Sequence, residues 1–141
     1  MKKFVLILML FASYITIKAQ NEEKAIRETL QKYIDGSSYN NQALIESAFF
    51  EDADLFLSKK DQELWILTPK EYSNLFKDRE QGKFNGRVGK ILMIDYANNI
   101  ACAKAEILIP KRDLKFIDIF LLKELEGEWK IISKAATQIT Q

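Results

Sequence analysis

The chain has 141 residues, with 21 basic and 20 acidic side chains, one cysteine and no histidine. So even a charge balance offers no basic excess to hold a phosphate backbone, and nucleic acid is not expected as a partner. Without histidine, Ser-His-Asp and Cys-His catalysis, His-ligated zinc and haem on a proximal His are excluded together, leaving acid–base work to carboxylates, Tyr or Lys.

Residues 1–19 read as a signal peptide. Lys2 and Lys3 form a positive start, Phe4 to Ile17 an apolar run, and Ala19 a small residue before Gln20 at which cleavage is expected. Fourteen helical residues span about 21 Å, short of the roughly 30 Å hydrocarbon core, so no stable membrane insertion is expected after cleavage. The expected location is secreted or periplasmic. Removing Lys2, Lys3 and Lys18 leaves 18 basic against 20 acidic residues over 20–141, enough chain for one domain with one core. Cys102 has no partner for an internal disulfide and reads as a small hydrophobe in a strand.

Asn21 is a good N-cap, with Glu22 and Glu23 in a first turn that favours negative charge. Ala25, Ile26, Thr29, Leu30, Tyr33 and Ile34 recur at helical spacing, which predicts an amphipathic helix over Glu22–Asp35, with Gly36 as its stop. A polar loop, Ser37–Asn41, leads to a second helix over Gln42–Phe49. Short strands follow at Ala53–Leu57 and Glu63–Leu67, joined by a charged turn at 58–61. Thr68-Pro69-Lys70-Glu71 has the pattern of a capping box with Pro at the first helical position, predicting a third helix to about Gln81. Gly82, Gly86 and Gly89 mark a loop and a bulge at the next strand; no helix start follows them, so they do not form a phosphate cradle.

From Arg87 onward the chain reads as sheet. Val88–Tyr96 turns at Asn98-Asn99, Ile100–Ile109 returns and ends at Pro110, and Lys111–Leu114 crosses to the ribbon Phe116–Leu122. Glu126-Gly127 then turns the chain into Trp129–Thr137. The order predicts an α+β domain: a curved antiparallel sheet of about six strands covered by three helices.

Asp118 is a charge inside an apolar strand, and a buried carboxylate costs several kcal/mol unless it is paired or neutral. Counting back from a two-residue turn pairs Leu122 with Ile131, Phe120 with Ser133, Asp118 with Ala135 and Phe116 with Thr137. One face then carries Phe116, Asp118, Phe120, Leu122, Trp129 and Ile131 beside small residues, with Ala101, Ala103 and Ala105 adjoining. A polar group with space around it in an apolar wall is how a ligand pocket looks. The candidate site is Asp118 and Tyr33 as polar or catalytic groups, with Phe49, Phe56, Trp65, Tyr72, Phe76, Ala103, Phe116, Phe120 and Ser133 as ligand-binding walls. A structural Asp118, bonded to a helix N-terminus, a backbone N–H or Arg112, is the competing reading, as a plain core aromatic is for Tyr33. The other face holds Ile117, Ile119, Leu121 and Ile132, rimmed by Lys123, Lys130 and Lys134, and suggests a homodimer through the sheet. Glu51-Asp52-Ala53-Asp54 lacks the Gly and distal Glu of a calcium loop; no metal site and no cofactor are expected.

Tyr33-Ile34-Asp35-Gly36, Ala48-Phe49-Phe50-Glu51-Asp52-Ala53, Asn99-Ile100-Ala101-Cys102-Ala103-Lys104, Phe116 to Lys123 and Glu128 to Lys134, in this order, resemble the nuclear-transport-factor-2-like superfamily. Within it they are similar to the bacterial exported group labelled "putative lumazine-binding". The resemblance implies the cone fold but not an activity, since this superfamily hosts isomerases, dehydratases, polyketide cyclases, carriers and scaffolds. Ketosteroid isomerase and the SnoaL-like cyclases place an Asp base and a Tyr or acid donor in the cone. Asp118 occupies a strand position, and Tyr33 a helix position, similar to ones such enzymes use, where a protonated carboxyl can donate to an oxyanion. No second carboxylate corresponds to their base: Asn40 and Asn41 stand where it is expected. The leading expectation is an exported binder of a small apolar or aromatic ligand. The alternatives are a cyclase or isomerase using Asp118, and a dimeric scaffold with a filled cone. On the binding reading, Asp118→Asn weakens binding and leaves stability unchanged or raised.

Overall fold

A computed structural model describes the backbone of residues 2–59 and 61–139, and the side chains of 20–59 and 61–139. The side chains of the apolar leader, and Lys60 of the charged turn, lie outside the described residues. Helix α1 covers Lys2–Ser38 and α2 Gln42–Ala48; strands β1 (Phe49–Lys59) and β2 (Gln62–Leu67) precede α3 (Pro69–Ser73). Strands β3 (Val88–Ala97), β4 (Ile100–Ile109), β5 (Leu114–Leu125) and β6 (Glu128–Gln138) complete one six-stranded sheet, ordered β2-β1-β6-β5-β4-β3. The sheet is curved and antiparallel throughout except at the β1–β6 pair, which runs parallel. No helix among the described residues is long and apolar enough to cross a membrane.

Helix α1 buries the stripe read from the sequence, Ile26, Leu30, Tyr33 and Ile34, against the sheet. It has no start at Asn21 and no stop at Gly36. Gly36 lies inside the helix because α2 crosses there: a Cβ would stand 2.8 Å from both the Ile45 side chain and its backbone nitrogen. The helix ends two residues later, and Asn40 takes a left-handed φ of 56°. The carbonyls of that last turn are unsatisfied within any helix. Here the N–H groups of Tyr39 and Asn41 take those of Asp35 and Gly36. Asn85 of the loop 77–87 takes the rest, its N–H bonding the Ser38 carbonyl (2.9 Å) and its Nδ2 the Ser37 carbonyl (2.7 Å), while Gly82 N–H bonds the Tyr39 carbonyl just beyond (2.7 Å).

The capping box of α3 is present, with Glu71 N–H bonding Thr68 Oγ1 (3.2 Å) and Thr68 N–H bonding Glu71 Oε2 (2.8 Å). That helix is far shorter than expected. It ends at Ser73 and tightens into a 3₁₀ turn over Asn74–Phe76, because the chain beyond must turn back to meet the end of α1. Gly89 lies in a regular part of β3, opposite Ile107, and the bulge falls instead between Ile91 and Met93. Glycine is required at 89 by packing: a Cβ there would meet Ile34 Cγ2 at 2.6 Å.

Both expected tight turns form. Ala97 pairs with Ile100 across Asn98-Asn99, and Leu125 with Glu128 across Glu126-Gly127, whose φ values of 52° and 83° suit a two-residue hairpin. The row Ala101, Ala103, Ala105 pairs with Leu122, Phe120 and Asp118, as alternation requires. The β5–β6 register holds only to Leu122–Ile131. An extra residue in β6 then places Leu121 opposite Ser133, Phe120 opposite Lys134, and Asp118 opposite Ala136. A one-residue shift exchanges the two faces of a strand. Ser133 and Ala135, expected inside, turn outward, and Lys134, expected on the outer rim, turns into the core.

Candidate functional site

The inner face of β5 brings Asp118 between Ala105 of β4 and Ala136 of β6, where it is 1% exposed. Its Oδ2 accepts a hydrogen bond from Tyr33 Oη at 2.7 Å and lies 3.2 Å from Lys134 Nζ. The Arg87 Nη2 is 3.9 Å away, a longer-range attraction. Lys134, 2% exposed, sits with its ammonium 5.3 Å from the ring centres of both Tyr33 and Tyr72. Two aromatic faces and a carboxylate thus replace the water that a buried ammonium loses.

Tyr33 joins the inner carboxylate to the cavity. Its hydroxyl has one proton and two lone pairs. The proton goes to Asp118; Arg87 Nη2 donates to the same oxygen at 2.9 Å, and Tyr72 Oη lies 3.2 Å away. With the Tyr33 proton committed to Asp118, Tyr72 is the donor of that last bond. Burial, then the negative charge of Asp118, push the Tyr33 hydroxyl well above the ordinary tyrosine range, so it remains a donor. Arg87 is fixed at its other end by Nε–H bonding Ser37 Oγ (3.1 Å), and its own N–H bonds Asn85 Oδ1 (3.0 Å). Burial works against its charge, but the oxygens of Tyr72, Tyr33 and Asp118 outweigh that and hold the guanidinium above its usual range.

The structure brings together Asp118 and Tyr33 with Phe49, Phe120, Tyr72, Phe76, Ala103 and Phe116. Phe49 and Phe120 meet the Tyr33 ring edge-on at 5.8 and 5.4 Å, and Phe76 meets Tyr72 at 5.7 Å. Ala103 lies buried opposite Phe120, and Phe116 packs half-buried on the same core. Trp65 reaches that core from β2, with Lys59 4.5 Å above its ring. Phe56 and Ser133 are not part of the group. Leu55 points inward opposite Lys134, so Phe56 faces the other side beside Ala135, and the shift in β6 turns Ser133 there too.

Two residues that close the site, Lys134 and Arg87, escape the sequence reading. A counting register hides Lys134, and Arg87 follows a glycine-rich loop whose course no periodicity sets. Arg112, the partner weighed for Asp118, lies at the mouth instead. The pairing also reverses one expectation: Asp118→Asn leaves the Lys134 ammonium buried without its countercharge, and so destabilises.

The space beside Asp118 is filled by Tyr33 and Lys134. An open volume lies one layer outward, a cavity of about 620 Å³ between α3, the loop 77–87 and the β4–β5 connection. Tyr72 and Arg87 belong to both, forming its floor, while Phe76, Phe84 and Leu75 give apolar wall and Arg79, Lys83 and Arg112 give positive charge. Among the described residues no group of acidic or cysteine side chains is placed to hold a metal ion.

Three helices on one curved, unclosed six-stranded sheet make this an NTF2-like α+β fold. The chain belongs to the family described as "Putative lumazine-binding", whose model matches residues 21–135. Among solved structures, it is similar to an NTF2-like protein of Shewanella baltica OS155, with TM-score 0.74 and 23% identity over 86% of this chain and 96% of that one. It is likewise similar to NTF2-like proteins of Methylobacillus flagellatus KT (TM-score 0.73, 25% identity, 85% and 94% covered) and Silicibacter pomeroyi DSS-3 (0.74, 17%, 86% and 98%). A comparison with curated proteins finds no match.

Proposed function

We propose that this domain binds a small molecule in the mouth cavity floored by Tyr72 and Arg87, with Asp118, Tyr33 and Lys134 as the buried support that holds that floor. The observation that carries the reading is the cavity itself. About 620 Å³ falls within the 300–1,000 Å³ of ordinary ligand sites, and its floor is fixed by hydrogen bonds to groups without solvent. The family description names lumazine, a flat heterocycle, and aromatic walls suit such a ring. The burial of Asp118 favours binding over isomerase or cyclase chemistry, because Tyr33 and Lys134 stand between the carboxylate and any substrate. Mass spectrometry of what co-purifies with the natively produced protein tests this. A small molecule lost from Tyr72→Ala but retained by Phe56→Ala supports the reading; one retained by both variants removes the mouth cavity as its site.

Residues 1–19 act in this reading as a cleaved export signal. The anchoring of α1 in its described residues supports it: Glu22 accepts a bond from Trp129 Nε1 (3.0 Å), and Ile26, Leu30 and Tyr33 are buried beyond it, so cleavage near Ala19 leaves these contacts in place. N-terminal sequencing of the exported protein decides this. The mature protein pairs with a second copy through the outer sheet face. There Ile119 and Leu121 are 44% and 51% exposed beside Ile117 and Ile132, with a shallow apolar hollow of about 350 Å³ next to them.

A further inference from the structure

We infer that the ligand of the mouth cavity is an anion, a flat ring bearing a carboxylate or an equally acidic group, gripped by the free side of the Arg87 guanidinium. This rests on the binding reading above and names its ligand class. The first ground is charge. Lys134, Arg87 and Asp118 form a cluster in which the two side chains of the ion pair are each 1% exposed and that of Arg87 14%. Two cations and one anion leave an excess positive charge with little water to solvate it. An uncompensated charge in such surroundings is costly, and a bound anion relieves the cost.

The second ground is the direction of the remaining donors. Arg87 spends Nε on Ser37 and one Nη2 proton on Tyr33. Its Nη1 has no hydrogen-bond partner among the described residues, and the side chain lines the cavity. A guanidinium anchored along its Nε–Nη2 edge presents the Nη1–Nη2 end as a fixed fork, the geometry that a carboxylate matches with two parallel bonds. The rim adds to this. Glu80, the acid of the lining, is paired with Lys83 at 3.0 Å, which leaves Arg79 and Arg112 to attract an anion. Arg79 is braced over the Phe76 ring at 5.3 Å, while Arg112 stands exposed at the entrance. Tyr72 and Phe84 supply the surface on which a ring packs.

The test uses matched probes, 2-naphthoate and its neutral amide, titrated into the full domain by calorimetry, with side-chain NMR of Tyr72 and Phe76 reporting the place of binding. The carboxylate is expected to bind at least about tenfold more tightly than the amide, and more weakly as salt rises. Arg87→Lys keeps the charge but removes the fork, and is expected to lose about tenfold for the carboxylate and little for the amide. Should that variant fold poorly, Arg112→Ala, at an exposed position, is expected to lose about threefold for the carboxylate alone. Equal affinity for both probes, with Tyr72 and Phe76 perturbed, overturns the anion and leaves the cavity standing. No perturbation of those rings by either probe overturns both.

Discussion

Lys134 and Asp118 face each other 3.2 Å apart with almost no exposure, and neither can be changed alone. Breaking a buried pair from one side costs about 3–5 kcal/mol, whereas replacing both members with apolar groups is often neutral or stabilising. Lys134→Met is therefore expected to lower chemical-denaturation stability by about 3–5 kcal/mol, and Asp118→Leu combined with Lys134→Met to recover most of it. A cycle in which the double variant is the sum of the singles would show that the pair is not coupled. Tyr33 carries a pH signature. Its hydroxyl is raised in the folded state, so its contribution is complete below about pH 10, where an unfolded tyrosine is still protonated. Above that, the unfolded chain releases its proton while the fold keeps one, and stability drops by about 1.4 kcal/mol per pH unit until the folded hydroxyl ionises. Thermal melts from pH 7 to 11 should show a steeper alkaline fall for the wild type than for Tyr33→Phe.

At the scale of elements, what the sequence discloses follows local rules, and what it hides follows contacts. The turns at Asn98-Asn99 and Glu126-Gly127, the cap at Thr68 and the apolar stripe of α1 are each written in a few adjacent residues, and each forms. The bulge in β6 is not written in this way. Ile132 is apolar like its neighbours, so alternation cannot show that one residue is extra, and Lys134 is assigned to the wrong face. Of the site, Asp118 was legible as an anomalous charge and Tyr33 by its place on the helix stripe; their cations were not. Gly36 and Gly89 both read as breakers but serve as close approaches of α1 to α2 and to β3. Gly89→Val should cost about 1–3 kcal/mol by driving against Ile34, and Ile34→Ala in the same chain should restore part of it. Equal losses with and without Ile34→Ala would mean that the strain at 89 lies elsewhere.

For the whole molecule, the two faces of the sheet have separate duties. The inner face closes around the Asp118 network and opens at the mouth; the outer face exposes an apolar surface that a second copy would cover. Leu121→Glu places a charge at the centre of that surface without touching the network. On the dimer reading it is expected to convert the protein to a monomer by light scattering while ring-carboxylate binding is retained. A wild type that is monomeric at high concentration ends the dimer reading.

Strand β6 is the last strand in the chain and the third in the sheet, the seam between β2-β1 and β5-β4-β3. Until its residues have left the ribosome, the early hairpin has no strand to dock on and β5 lacks its second antiparallel neighbour. Pairing of Leu55 with Lys134 joins positions from opposite halves of the chain, a closure that comes late and slowly. On the export reading, a sheet whose central strand is made this late would still be open while the chain passes through a narrow channel, and would close only once β6 has arrived.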